Sequence, residues 1–335
     1  MIHPPLLVTC PGAYADSGLG TGGTVLVHDG KSTIIDRSDA TGLWMSGDLI
    51  YRFSRSRHAV TGMDKSGVRL MLHLPEARDV HDIAVVDNQL LCICSGTNEV
   101  LWFDLQGRLL RRWVAPGEGD AWHLNCVWPT DGRIYLMAFG EFSTHRAWTD
   151  GCKHQGFIFD LETGERVVTG LSGPHNPRLI DGKWYICDSH TESLVLYESG
   201  KESARVKLSG FTRGLAFDDR YLYVGESADR KSADPGAHST IAILDRTSMT
   251  VVDRLSIPFP EVYEILVLSS QWAEPISMAP ERYTLDPTNE RIGILEAQVK
   301  RGEEDTRVLR GQIERWNRSL IGRISRGLKR VTRRR

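Results

Sequence analysis

The sequence contains no Cys-x-x-Cys pair, no basic and apolar leader, and no apolar run close to the roughly 18 residues that a membrane span requires. Six cysteines are scattered along the chain, and four of them lie in strand-like apolar runs, where cysteine behaves as a small hydrophobic residue. The six are Cys10, Cys92, Cys94, Cys126, Cys152 and Cys187. These absences argue against a disulfide-rich secreted domain and a membrane-spanning protein, and they favour a cytoplasmic location.

Two catalytic signatures are also missing. The chain has no Gly-x-Ser-x-Gly elbow, which argues against a serine hydrolase. The glycine-rich stretch 18–23 lacks the Lys-Ser/Thr pair of a phosphate-binding loop, so it predicts a simple connection between strands. With 41% hydrophobic and 25% charged residues, the 335-residue chain still has the composition of an ordinary globular protein.

What the sequence does contain is a phrase that recurs about every forty residues: a polar residue, a short apolar run, a turn, and a second apolar run. Further strand signals and turn residues follow each copy, as expected for four-stranded units. A repeat of this size built from short strands is typical of a β-propeller. The six copies begin at Thr41, His81, His123, His175, Arg213 and Glu264.

The sixth copy is followed by Pro275, Pro280 and Pro287 instead of three more strands. The missing strands are predicted at the N-terminus, in residues 6–10, 24–28 and 31–36. Closure by both ends of the chain would remove the exposed sheet edges. We therefore predict an all-β, six-bladed propeller in residues 1–270, a proline-containing linker in 271–290 and a basic amphipathic or coiled-coil helix in 291–335.

In a propeller, the start of every inner strand lies at one face of the central channel. Three long loops are predicted at that same face, in residues 11–23, 140–155 and 226–239, so this face is the candidate site. His81, His123 and His175, with the Glu264 carboxylate opposite, are the residue types that bind Zn²⁺, Fe²⁺ or Mn²⁺. The alternative is that these polar residues only cap the inner strands or contact a ligand.

Other residues of the same face could bind a ligand directly. Arg213 could hold a carboxylate or phosphate in a bidentate manner, and Asn125, Asn176 and Arg178 are further candidate donors. The loop containing Trp148 is expected to place an aromatic ring over the ligand. We interpret Arg52, Arg55 and Arg57 as solvated, or as contacts to one small anion, since the acidic body argues against a nucleic-acid partner.

The C-terminal segment carries charge of the opposite sign to the body. Residues 290–335 contain 14 Lys/Arg and 6 Asp/Glu, although the formal net charge of the whole chain is −2. Apolar residues recur there at helical spacing, with arginines between them. Such a helix could contact the anionic inner-membrane surface or form a homo-oligomer contact, and the pattern leaves both open.

Four phrases resemble an uncharacterised bacterial propeller family of conserved hypothetical proteins. They are His-Asp-Ile at 81–83, Pro-His-Asn-Pro-Arg at 174–178, Gly-Phe-Thr-Arg-Gly-Leu-Ala-Phe at 210–217 and Pro-Glu-Val-Tyr-Glu-Ile at 260–265. The last phrase carries Asp in that family where this chain has Glu264. The resemblance implies the propeller fold and no particular reaction.

The segment 316–330 is similar to the tails that close many glycosyltransferases and methyltransferases of bacterial surface-polysaccharide clusters. This similarity implies a setting in polysaccharide biosynthesis. The leading hypothesis is therefore a propeller that binds, and in one version processes, a sugar or glycan intermediate. The rivals are a metal-dependent lyase, hydrolase or epimerase, and a protein-interaction scaffold.

Overall fold

The computed structural model describes residues 3–12, 22–228 and 238–284. The helix predicted for 291–335, the end of the predicted linker and most of the predicted loops 11–23 and 226–239 lie outside these ranges. No helix within the described residues is both long and apolar enough to cross a membrane.

The strands follow the predicted repeat. The chain begins with β1 (Leu6–Cys10), β2 (Gly23–His28) and β3 (Lys31–Asp36). Blade 1 comprises β4 (Ala40–Ser46), β5 (Leu49–Ser54), β6 (Ala59–Asp64) and β7 (Gly67–His73). Blade 2 comprises β8 (Val80–Val86), β9 (Gln89–Cys94), β10 (Glu99–Asp104) and β11 (Leu109–Val114). Blade 3 comprises β12 (Val127–Thr130), β13 (Arg133–Ala138), β14 (Gly156–Asp160) and β15 (Arg166–Leu171), with the short helix α1 (Trp148–Gly151) between β13 and β14.

Blade 4 comprises β16 (Pro174–Ile180), β17 (Lys183–Asp188), β18 (Ser193–Glu198) and β19 (Lys201–Lys207). Blade 5 comprises β20 (Phe211–Phe217), β21 (Tyr221–Ser227), β22 (Ser239–Asp245) and β23 (Thr250–Ile257). The strand β24 (Glu264–Val267) and the helix α2 (Ser270–Met278) follow. Single 3₁₀ turns lie at Ser95–Thr97, Ser189–Thr191 and Pro280–Tyr283.

The last sheet is built from both ends of the chain, as predicted. Its strand order is β24-β1-β2-β3, all antiparallel, and Thr9 pairs with Glu264. We call this sheet blade 6. The described residues thus form six four-stranded sheets, which confirms the six-bladed propeller closed by N-terminal strands.

Apolar side chains from neighbouring blades form the core between the sheets. Residues 270–283, in the segment predicted as a linker, pack onto the blade 6 side of that core through the buried Trp272, Ile276 and Tyr283. The buried Arg52 joins blade 6 to blade 1, because its guanidinium donates to Asp36 Oδ2 at 2.6 Å and to Thr24 Oγ1 at 2.7 Å. Arg52 and Arg57 are therefore not solvated side chains, contrary to the first of the two interpretations of this cluster.

Several inner strands change register where the recurring phrase begins. The pairing shifts between Val80 and Asp82 in blade 2, between His175 and Arg178 in blade 4, and between Thr212 and Leu215 in blade 5. Such bulges redirect side chains away from the regular alternation of a strand.

Candidate functional site

Four buried side chains from four blades meet near the axis of the ring, and we call them the axial cluster: His81, His123, Arg213 and Tyr263. The His81 ring lies 4.9 Å from the His123 ring and 6.1 Å from the Tyr263 ring, between centroids. The guanidinium of Arg213 lies 3.5 Å above the Tyr263 ring. Because blade 1 separates blade 2 from blade 6, the contact between His81 and Tyr263 shows that these residues converge near the axis.

Arg213 offers a buried binding edge. Its Nη1 donates to Glu261 Oε1 at 2.9 Å, while its buried Nε and Nη2 have no partner among the described residues. In a guanidinium these two N–H groups lie on one edge and form the fork that holds a carboxylate or phosphate with two hydrogen bonds. Each buried donor left without a hydrogen bond costs about 1–3 kcal/mol of free energy. An anion bound at this edge would accept both hydrogen bonds and remove that cost.

His81 is a buried, neutral imidazole. Its Nδ1 donates to the Asp79 carbonyl at 3.1 Å, which leaves the lone pair on Nε2. Burial lowers the pKa of His81 well below its ordinary value, and the electrostatic effects of His123, Arg213 and Arg55 lower it further. The guanidinium groups of Arg213 and Arg55 make this part of the site favourable to an anion.

His123 is held by a carboxylate. Its Nδ1 lies 2.9 Å from Asp120 Oδ1 and 3.1 Å from Asp120 Oδ2, and both side chains are buried. The ring also packs against Trp148, at 4.1 Å between centroids, and against Phe139, at 4.4 Å. The loop containing Trp148 thus places an aromatic ring at the site, on a histidine of the axial cluster.

His175 is bonded within its own blade. Its Nδ1 is 2.7 Å from Ser189 Oγ, and its ring contacts Phe139 at 5.3 Å and Phe211 at 5.6 Å. Phe139 therefore contacts both His123 and His175. Thr41, which begins the first phrase, donates to the Val80 carbonyl at 3.0 Å and caps the neighbouring strand, as the structural alternative predicted.

A second group of buried side chains forms a network of charged and amide groups. Glu264 accepts from Arg178 Nη2 and from Asn176 Nδ2, both at 2.7 Å, and Asn176 Oδ1 accepts from the Gly214 amide. Asn125 donates to the Pro174 carbonyl at 2.8 Å, and its buried Oδ1 has no partner among the described residues. Glu264 thus binds both Arg178 and Asn176.

The described residues include no group of three or more His, Cys, Asp or Glu side chains that could hold a metal ion. Glu264 already accepts from an arginine and an asparagine, and the Nδ1 atoms of His81 and His123 are bonded within the protein. The metal site at His81, His123, His175 and Glu264 stays a prediction.

Tyr263 and Asp120 are among the members of the site that the sequence analysis missed. Tyr263 immediately precedes the start of the sixth phrase, and Asp120 lies three residues before the start of the third. The signal available was their position next to phrase starts, since residues flanking the inner strands reach the same mouth. Their roles depend on bulges and loop geometry that the repeat does not specify.

The buried Asp82 carboxyl is expected to contribute a fall in folding stability as the pH rises from about 4 to about 8, while the lowered pKa of His81 acts in the opposite direction below about 6.5. Burial and the nearby Glu264 raise the pKa of Asp82 to about 8, against about 3.9 for an unfolded chain, and burial also raises the pKa of Glu264. At Asp82 the folded state therefore binds a proton that the unfolded chain has lost, and the contribution of this group to stability declines by up to about 1.4 kcal/mol per pH unit. Urea unfolding between pH 5 and pH 8 measures the slope.

The Asp82→Asn variant should flatten this slope, while the exposed control Asp48→Asn should keep it. An unchanged slope in Asp82→Asn would contradict the assignment.

A family model described as a domain of unknown function, DUF4915, matches residues 39–276. No curated protein matches the chain. Among solved structures, the chain is similar to a protein of unknown function from Bacteroides caccae, with a TM-score of 0.56, 12% identity and coverage of 78% of this chain and 98% of that one. The chain is also similar to a nidogen/laminin complex, with a TM-score of 0.56, 11% identity and coverage of 79% of this chain and 99% of that one. A protein from Lactobacillus plantarum has a TM-score of 0.55 and 13% identity, with coverage of 79% of this chain and 99% of that one. At these identities the similarities show the fold alone.

Proposed function

Since this chain belongs to the DUF4915 family, whose description states no activity, we propose a function from the axial cluster itself: it binds an anionic sugar or glycan intermediate at the mouth of the channel. The observation that carries the proposal is the pair of buried, unpartnered donors on one edge of Arg213. Tyr263 fixes the plane of the guanidinium from one side, and Glu261 fixes its Nη1. A preorganised fork of this kind suits a carboxylate.

The rest of the cluster suits the sugar ring. Nε2 of His81 has no hydrogen-bond partner among the described residues, so it can bond to a hydroxyl group. Burial raises the pKa of Tyr263 well above its ordinary value, which keeps the phenol protonated and able to donate. Trp148 and Phe139 supply apolar faces beside these polar groups.

The proposal includes a setting in bacterial surface-polysaccharide biosynthesis, based on the similarity of residues 316–330 to tails of glycosyltransferases. In that setting the basic segment 291–335 brings the propeller to the inner-membrane surface.

Titration calorimetry with 4-linked oligogalacturonates, 4-linked glucuronate disaccharides and neutral cello-oligosaccharides tests the binding site. We expect a uronate to bind and the neutral sugar to bind at least tenfold more weakly. This ratio of dissociation constants corresponds to a difference of about 1.4 kcal/mol in binding free energy. Arg213→Gln should weaken uronate binding by roughly 10–100-fold, because it removes two hydrogen bonds to a charged group. Arg213→Lys should recover little of this, since a lysine keeps the charge but lacks the fork.

The control is Arg220→Gln on the outer surface, which should bind as the parent does; thermal unfolding checks that every variant is folded. Equal affinity of the parent and Arg213→Gln would refute the site. Failure of both uronates to bind would remove the proposal and favour the scaffold hypothesis.

A further inference from the structure

The axial cluster contains a carboxylate–imidazole pair that binding alone does not require. A carboxylate only accepts hydrogen bonds, so the contact of 2.9 Å between His123 Nδ1 and Asp120 Oδ1 is a donation from Nδ1–H. The lone pair of His123 then resides on Nε2, which has no partner among the described residues. This is the arrangement of a general base that a second residue orients.

The loop 140–155 fixes this pair in place. The indole N–H of Trp148 donates to the Asp120 carbonyl at 3.0 Å, and the Arg146 amide donates to the same carbonyl at 2.9 Å. His123 itself has a φ of 50°, a left-handed conformation that is unfavourable for a residue with a side chain. Strained conformations of this kind persist where the surroundings impose them, and they concentrate at functional sites.

The base and the anion fork belong to one site. His123 contacts His81, His81 contacts Tyr263, and Arg213 lies over Tyr263, at 4.9, 6.1 and 3.5 Å. In the proposed complex, a ligand whose carboxylate binds Arg213 has its neighbouring carbon directed towards His123. The hydrogen on that carbon is the most acidic C–H of a uronate, because the carboxylate can take up the charge that its removal leaves.

We infer that His123, positioned by Asp120, removes the proton from the carbon next to the carboxylate that Arg213 holds. The protein would then cleave 4-linked uronates by β-elimination. This inference rests on the proposed function. The C5–H bond breaks and its proton binds His123 Nε2, while the electron pair moves into the carboxylate, whose negative charge Arg213 stabilises.

The pair then forms the C4–C5 double bond as the C4–O bond breaks. The proton on His123 passes to the departing oxygen, so the step needs no oxidant, reductant or further reactant. If the proton on His123 exchanges with D₂O before the C4–O bond breaks, a deuteron from the solvent is transferred to C5 in its place.

The test combines calorimetry with nuclear magnetic resonance in D₂O and ultraviolet absorbance, using the same 4-linked oligogalacturonates and glucuronate disaccharides. We expect the uronate that binds to gain deuterium at C5 or to form the conjugated double bond. His123→Gln should slow this reaction by about 100-fold or more while binding persists, as expected for the loss of a general base.

Asp120 is a positioning residue, and its role needs a readout beyond folding. Asp120→Asn should slow the reaction by roughly 10–100-fold with binding retained, because the amide cannot hold the same tautomer of His123. Asp120→Glu should restore part of the rate. The control His154→Gln, on an exposed residue of the same loop, should react as the parent does.

The outcomes separate the two proposals. A uronate that binds through Arg213 but shows neither deuterium nor a double bond overturns the inference and leaves the binding function standing. An unchanged rate in His123→Gln overturns it as well. If no uronate binds, the proposed function fails and the inference fails with it.

Discussion

A chain that lacks residues 1–10 is expected to lose cooperative unfolding and to aggregate. Residues 6–10 form β1, the second strand of blade 6, and they pair with β24 on one side and β2 on the other. Removal exposes the edges of both neighbours and opens the ring between blades 5 and 1. Circular dichroism during heating and light scattering of the purified protein measure the result.

A milder variant tests the same strand without removing it. Leu7 is fully buried in the core beside blade 6, so Leu7→Ala should destabilise the fold by about 2–5 kcal/mol. Leu110 on the outer strand of blade 2 is 49% exposed, and Leu110→Ala should change stability by about 0.5 kcal/mol at most.

For the chain that lacks residues 1–10, cooperative unfolding at the melting temperature of the parent would contradict closure of the ring by β1.

Replacement of Arg178 by methionine is expected to cost about 3–5 kcal/mol of folding free energy at neutral pH, because it leaves the Glu264 carboxyl buried without its cation. Arg178 also stacks on Trp128 at 4.6 Å, and methionine retains part of that apolar contact. Urea unfolding of the parent and the variant gives the difference.

The surface pair Lys207–Glu192 offers a control with the same separation. Its N–O distance is 2.7 Å, as in Arg178–Glu264, but its side chains are 66% and 49% exposed. Lys207→Met should therefore cost less than about 1 kcal/mol. Adding Glu264→Gln to Arg178→Met should recover part of the loss, since the second change removes the unpaired charge. Equal costs for Arg178→Met and Lys207→Met would show that burial does not matter here.

Most of the fold could be predicted because it follows from a repeat. Each phrase places a polar residue before an apolar strand, and six such starts with the missing strands at residues 6–36 define a closed ring. The error on Arg52 has a physical reason. Composition shows that a segment is basic, but the partners that bury it, Asp36 and Thr24, belong to another blade.

The site could be predicted only as a list of residues facing one mouth. The repeat predicts that His81, His123 and Arg213 begin inner strands; the structure brings them together, although β12 begins only at Val127, four residues after His123. The repeat does not specify rotamers or loop paths, which decide that His123 bonds to Asp120 and that Glu264 bonds to Arg178 and Asn176. Spacing along the chain therefore identified the face and left the chemistry of each group open.

Thr9 pairs with Glu264, 255 positions later in the chain. Blade 6 therefore cannot be completed during synthesis until Glu264 has been added. At about 5–20 residues per second, a ribosome needs on the order of tens of seconds to supply the second partner. During that interval the apolar segment Leu-Leu-Val-Thr-Cys at 6–10 can pair with β2 on one side only. A nascent chain of this protein should therefore engage holding chaperones until the final strand leaves the exit tunnel.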